Sequence, residues 1–519
     1  MIRRMAIVLG LFAIVAAACG HSVLVQTAAL NPAANQKALQ QEAKQEAKKV
    51  KGTLSKGGTV SVGSTGSSNA TGGTTSTGGK TSTAQAASSN CATNSDPSQG
   101  YTSDSMRIGT IIPLTGALRP LGEQTVNVMK VAVNATLNNS THIPGPYAKV
   151  DWGCSSRSGV FGRHVSLDVY SLQQNTPEEA LAGMRRLIDV NHDFLVRDCY
   201  LESNLMAAAV QYENSKGVPG IWCFYSGDGP ALRGWDYAPG TNPNIEAAIH
   251  TAYEIEVLHK KHLTILTDPS ILHTQDQVIV NVNNYLSQKY GNAKLSLNSK
   301  CVQQQQAQNA PNGEDSQIAA LRTCYGPGVQ PDAVMASDAL NLVFGALSAK
   351  NQGWRGADNG VTWDGYTSDW ITSLAQICQD ACQGAITDCQ ALPCIPWASP
   401  AKFPAVTALQ DTYNKYLRSY PPDILTYGPE AITGGLGLWL GMTGPNLSRA
   451  NFQHTVGTLH AWDAGIGPVL TMGPGDHFGG ASVWLINFTG NNNNPYFTDR
   501  TGRFVTLQEL HIPLSLTRT

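Results

Sequence analysis

Charge is scarce in this chain: Asp, Glu, Lys and Arg make up 14% of 519 residues, with a formal net charge of −2. So little positive charge excludes the basic stripe that nucleic acid demands, and no nucleic-acid partner is expected. The apolar run from Met5 to Val15 falls short of the roughly 20 residues that span a bilayer as a permanent helix. Local signatures of chemistry are missing too. There is no His-Glu-x-x-His, no Gly-x-Ser-x-Gly and no Cys-x-x-Cys, and the 12 His are scattered. His259 and His262, flanking Lys260 and Lys261, read as complements to a helix C-terminus. Not an enzyme is the reading that follows, with no cofactor and no metal expected.

What is present begins with compartment. Arg3 and Arg4 precede the apolar run, and Ala16-Ala17-Ala18 lead to Cys19, the layout of a secretory signal over residues 1–18. Small residues directly before a Cys resemble a bacterial lipobox, which implies a lipidated Cys19 and attachment to the outer face of the cytoplasmic membrane. Ala16 stands where lipoboxes usually carry Leu, so an ordinary Ala-x-Ala cleavage at the same bond competes. Eleven Cys less Cys19 leave an even set, suited to disulfides outside the cytosol.

Residues 19–104 read as a flexible tether. A thin stripe of Leu39, Ala43, Ala47 and Val50 gives a solvated helix at best, and Gly52 to Gly100 is dominated by Gly, Ser, Thr and Ala. Within it, GGTTSTGGKTS has Thr74 where a phosphate-binding loop needs Gly, and no strand or helix flanks it.

The organising unit is Met106 to Leu137. Arg107 to Pro113 is a short β-branched run ending at Pro, read as a buried strand. After Leu114-Thr115-Gly116, residues Val126, Met129, Val133 and Leu137 recur at helical spacing, with Glu123, Gln124, Asn127 and Lys130 assigned to the other face. Strand and helix patterns then alternate. Val165 to Tyr170 reads as a strand, and Thr176-Pro177-Glu178-Glu179 supplies a cap and first-turn Pro for the next helix. Phe194 to Val196, Val218 to Phe224, Leu263 to Leu266, Leu295 to Leu297 and Pro331 to Ala336 continue as strands. This order predicts an α/β fold with parallel sheets covered by helices, whose ligands sit at the carboxyl ends of the strands.

Cys378, Cys382, Cys389 and Cys394 interrupt that order with spacings unlike paired zinc knuckles, so two local disulfides are expected. Cys301 and Cys324 are expected to pair, and Cys91, Cys154, Cys199 and Cys223 complete the disulfide set.

Written as Ile108-Gly109, then Pro113-Leu114-Thr115-Gly116 and Leu121-Gly122 before an Ala- and Val-rich helix, the unit resembles the opening of type I periplasmic binding proteins, above all the leucine/isoleucine/valine-binding proteins of ABC transporters. Gly475-Asp476-His477 with Gly479-Gly480 and the strand Ser482 to Phe488 resembles their closing segment. The resemblance implies two doubly wound lobes joined by a hinge: lobe I from 105–247 and 394–455, lobe II from 248–393 and 456–519. It further implies closure on a small polar ligand, an amino acid or amide, and delivery to an ABC permease. A sensor or cell-envelope protein of the same fold without transport is the alternative. Carried over position by position, the ligand contacts would be Leu114, Thr115, Tyr200, Ser203, Tyr225 and Ser226 in lobe I, with Asp338 and Asp364 in lobe II. Phe224-Tyr225 is bulkier than the family's small residue and Thr, and the Cys-rich insertion has no counterpart in the family.

Overall fold

The computed structural model describes residues 91–518, less 116–118, 139–153, 155, 175, 199–202, 223–233, 268–273, 305–313, 338, 355–359, 367–370, 390–393, 395, 464, 466, 474–476 and 490–495. The signal, Cys19 and the tether up to residue 90 lie outside the described residues, as do Cys199 and Cys223.

Strand β1 (Ser105–Pro113) carries the apolar run and is almost wholly buried. It pairs in parallel with β2 (His164–Leu172) on one side and β3 (Leu195–Asp198) on the other; β4 (Gly220–Trp222) and β5 (Asp236–Tyr237) follow, giving the order β2-β1-β3-β4-β5. Helix α1 (Arg119–Ala132), continuing as a wider turn to Asn138, buries Val126, Met129, Val133 and Leu137 as the spacing predicts. Gly122 is required where α1 crosses the end of β1. A Cβ there would stand 1.9 Å from the Pro113 carbonyl oxygen. Helix α2 (Pro177–Arg185) starts at the predicted cap, Thr176 Oγ1 accepting from Glu179 N at 3.3 Å. Helix α3 (Ser203–Ser215) leads to β4.

The chain leaves this lobe through β6 (Gly240–Thr241), and helix α4 (Pro243–Ala252) already packs in the second core, with Ala247 and Ile249 beside Leu263 and Ile265. The second sheet contains β7 (Leu263–Thr267), β8 (Val302–Gln304), β9 (Ala333–Ala336), β10 (Thr362–Gly365) and β11 (Ile386–Cys389). Its parallel part runs β8-β7-β9-β10-β11. Counted from each lobe's first strand, this repeats the 2-1-3-4-5 order of the first sheet. Helices α5 (Thr274–Tyr290), α6 (Asp315–Arg322), α7 (Ala339–Asn351) and α8 (Thr372–Cys378) belong to this half. Beyond α9 (Ala405–Thr412), the long α10 (Ile424–Thr443) packs against α1, and α11 (Arg449–Gly457) packs on α10. The chain returns through β12 (Gly479–Gly480), which pairs with β6, and then adds β13 (Ser482–Phe488) antiparallel to β11, with β14 (Phe497–Asp499) and β15 (Val505–Thr506) on β13.

Four expectations need correction. Leu295–Leu297 is no strand, because Asn284 clips it with its side chain, accepting from Leu295 N at 2.9 Å and donating to Leu295 O at 2.9 Å; the ladder position is taken by β8. Residues 91–104 are folded, not tether. Cys91 is joined to Cys154, and the buried Arg163 donates to the carbonyls of Thr102 (2.7 Å), Asn94 (3.2 Å) and Pro445 (3.0 Å). The crossings between lobes fall at the paired β6 and β12, not at 247/248 and 455/456: α4 is already in the second core, while Phe478 still packs with Trp222 and Ala238 in the first. The remaining crossing lies beyond 393/394, since Phe403 packs on Trp484 and Phe504 at 5.9 Å. Composition averages hide such boundaries.

The expected disulfides Cys301–Cys324, Cys378–Cys382 and Cys389–Cys394 are all formed. Among the described residues no helix is long and apolar enough to cross a membrane.

Candidate ligand site

In a 2-1-3-4-5 sheet the crevice opens at the carboxyl ends of the strands where the order reverses, here between β1 and β3 and between β7 and β9. On the first sheet, Leu114 and Thr115 follow β1 and are half-buried. The Thr115 hydroxyl is already engaged, donating to Leu172 O at 3.0 Å, so it braces the end of β2. Ser203 opens α3, the helix that follows β3, as the resemblance implies. A helix N-terminus presents unpaired N–H groups suited to a carboxylate. Tyr200, Tyr225, Ser226 and Asp338 lie outside the described residues.

Asp364 is a correction. It is fully buried in β10, and its Oδ1 lies 2.5 Å from His250 Nδ1 on α4. The register sets it opposite Ile386, in the apolar core beneath α4, so its side chain serves the interior and not a ligand.

Near the carboxyl ends of the second sheet, buried polar groups are held by one another. Tyr366, directly after β10, donates its hydroxyl to Asp276 Oδ1 at 3.0 Å, which fixes a carboxylate in the first turn of α5. Ser337 N, after β9, donates to Leu266 O at 3.1 Å, and Asn341 Nδ2 donates to Glu314 Oε1 at 3.2 Å. This end is therefore rich in acceptors.

Between the two halves, Asp423 precedes α10 and accepts from Gln124 Nε2 on α1 (3.1 Å) and from the backbone N–H of Thr372 on α8 (3.0 Å). Burial pushes the Asp423 carboxyl up to about 6 despite these donors. Gln124 also donates to Thr426 Oγ1 at 2.9 Å, so it is buried, contrary to the solvent face the helical pattern assigned it. At the hinge, His477 stacks on Tyr237 with 5.0 Å between rings, and its Nδ1 lies 2.6 Å from the Asp236 carbonyl oxygen. Nearby, Asp236 is raised to about 7, burial outweighing its bonds to Glu213, Trp222 and Asn214. None of Gln124, Asp423, Thr372 or Asp276 was marked by a motif, because each acts through a partner distant in sequence.

Two α/β lobes with like strand order, crossed by paired hinge strands, define the fold of type I periplasmic binding proteins. The chain superposes on a possible leucine/isoleucine/valine-binding protein from Rhodopirellula baltica SH 1 with a TM-score of 0.58 and 15% identity, over 79% of this chain and 99% of that one. A leucine-binding protein from Thermotoga maritima MSB8 gives a TM-score of 0.58 and 14% identity, over 78% and 99%. A solute-binding protein of an ABC transporter from Rhodopseudomonas palustris BisB5, in complex with 3,4-dihydroxybenzoic acid, gives 0.54 and 13%, over 74% and 93%. No family model and no curated protein matches the sequence.

Proposed function

We propose that this chain is an extracytoplasmic solute-binding protein, held to the outer face of the cytoplasmic membrane by a lipid on Cys19, which closes its lobes on a small ligand and presents it to an ABC permease. The observation that carries the reading is the repeated 2-1-3-4-5 sheet, with two of the crossings between the sheets paired as the strands β6 and β12. Closure is then a rotation about a short ladder, needing no chemistry. Donors at the start of α3 on one lobe and acceptors such as Asp276 on the other favour a ligand with a carboxylate at one end and a donor at the other. An amino acid or amide fits that description.

A second reading of the ligand is an aromatic acid. Phe224-Tyr225, next but one after β4 in sequence, supplies rings suited to stacking on one, and the similar protein from Rhodopseudomonas palustris holds a dihydroxybenzoate. Calorimetry with branched-chain amino acids, their amides, benzoate and dihydroxybenzoate tests both. Binding with scattering-detected compaction supports the proposal; amino acids alone, or aromatic acids alone, decide the class. Absence of binding or compaction with every compound would overturn it.

A further inference from the structure

Helix α4 and the turn that extends it place Glu246, His250 and Glu254 on one face, four residues apart each time. Facing them on the sheet are Asp364 of β10 and Asp388 of β11. Asp364 is opposite Ile386 in register, so Asp388, two residues on, points to the same side. All five side chains are fully buried, within a shell that includes Ala247, Ile249 and Leu485. His250 Nδ1 stands 2.5 Å from Asp364 Oδ1 and Nε2 stands 3.0 Å from Asp388 Oδ2. One donor atom each from Glu246, His250 and Asp388 lies within 4.8 Å of the others.

An imidazolium between two aspartates is the simplest occupant, and it leaves the cluster unbalanced. Four carboxyl groups share the pocket with one imidazole. Asp364 and Glu254 hydrogen-bond each other, which places one proton between those two carboxyls. With that proton counted, three carboxylates face one imidazolium, and burying carboxylate charge in an apolar shell costs several kcal/mol per ion unless a cation offsets it.

The geometry points to a divalent transition-metal cation, zinc by donor type, bound by Glu246, His250 Nε2 and Asp388 and backed by Asp364. One imidazole and two carboxylates without thiolate suit zinc and not cuprous copper. Zinc–ligand bonds of about 2.0–2.2 Å put tetrahedral ligands about 3.3 Å apart, close to the observed Nε2–Oδ2 separation. Asp364 then accepts from Nδ1–H, the arrangement that fixes the tautomer of a metal-bound histidine. Because α4 follows hinge strand β6 directly, the cation would tie the post-hinge helix to β10 and β11. The site is separate from the ligand crevice and does not depend on the function proposed for it.

The test is metal analysis of the tag-free full chain, unfolded with chelator and refolded with zinc or with chelator alone. About one zinc per chain is expected, with a higher Tm for the zinc-refolded protein and visible d–d bands when cobalt replaces zinc. Glu246→Gln and Asp388→Asn should each abolish retention. Asp364→Asn should keep the site and weaken zinc binding about 10–100-fold. Should either ligand variant fail to fold, the wild-type comparison still decides. No zinc above background with equal Tm in both refolded samples overturns the site, as does a His250 ring protonated on both nitrogens by ¹⁵N NMR in zinc-treated protein.

Discussion

Asp423 accepts the backbone N–H of Thr372 at 3.0 Å, tying the start of α10 to the start of α8 across the two halves of the molecule. Its other oxygen takes Gln124 Nε2 at 3.1 Å. Tyr413, Tyr427 and Thr426 also face it, none of them cationic. With no cation among the described residues to offset burial, the folded carboxyl holds its proton up to about pH 6, against an ordinary value of 3.8.

That shift makes the tie sensitive to pH. Between pH 3.8 and about 6 the folded state binds more protons than the unfolded one, so this group's stability is fully present below pH 3.8 and falls as pH rises through the window. The difference corresponds to about 3 kcal/mol. Asp423→Asn cannot lose a proton, and its stability should fall less than that of the wild type between pH 4 and 7. Urea titrations of both proteins at the two pH values measure it; parallel losses would show that Asp423 is not the titrating group.

Asp364 divides core from crevice. Removing its charge with Asp364→Asn disturbs His250 and should destabilise the fold by about 1–3 kcal/mol. The ligand-induced rise in Tm should be unchanged, because β10 turns this side chain under α4. A variant that keeps wild-type stability and loses ligand binding would return Asp364 to the crevice.

How much of this could be read from the sequence depended on the range of each interaction. The strand–helix unit from Met106 to Leu137, the Thr176 cap and the Cys-rich pairs are local, set by periodicity, capping and short spacing, and they stand in the structure. A helical pattern puts Gln124 on the wrong face because it tests only one helix, whereas its partners Asp423 and Thr426 lie about 300 residues away. His250 was invisible for the same reason: Asp364 and Asp388 come from strands more than 100 residues downstream. Residues 91–104 have the polar composition of a tether, yet a single buried Arg163 with one disulfide holds them folded.

Cysteine arithmetic predicts a fifth disulfide. The described disulfides use Cys91, Cys154, Cys301, Cys324, Cys378, Cys382, Cys389 and Cys394, and of the ten Cys beyond Cys19 this leaves Cys199 and Cys223 to pair with each other. Peptide mapping without reductant should therefore find Cys199 and Cys223 in one linked peptide. Two free thiols in the unfolded protein at these positions would refute the pairing.

The last prediction concerns Arg163, which joins the N-terminal strap to the first lobe. Burial lowers its guanidinium to about 10, still charged at neutral pH, and Tyr101 stacks near it with its ring centroid at 5.3 Å. The three backbone carbonyls it satisfies, on Asn94, Thr102 and Pro445, would lose their donor in Arg163→Met. Removing one side of a buried charged network costs about 3–5 kcal/mol. Cys91→Ser instead acts on the unfolded chain, opening a loop of 63 residues worth about 4 kcal/mol in the chain-entropy model. The two variants should thus lower stability by like amounts but differ in where they loosen the protein. Arg163→Met should expose 94–104 to limited proteolysis while the disulfide still retains the cleaved strap, and Cys91→Ser should release that strap once cut. Strap protection unchanged in Arg163→Met would show that the disulfide alone holds residues 91–104 in place.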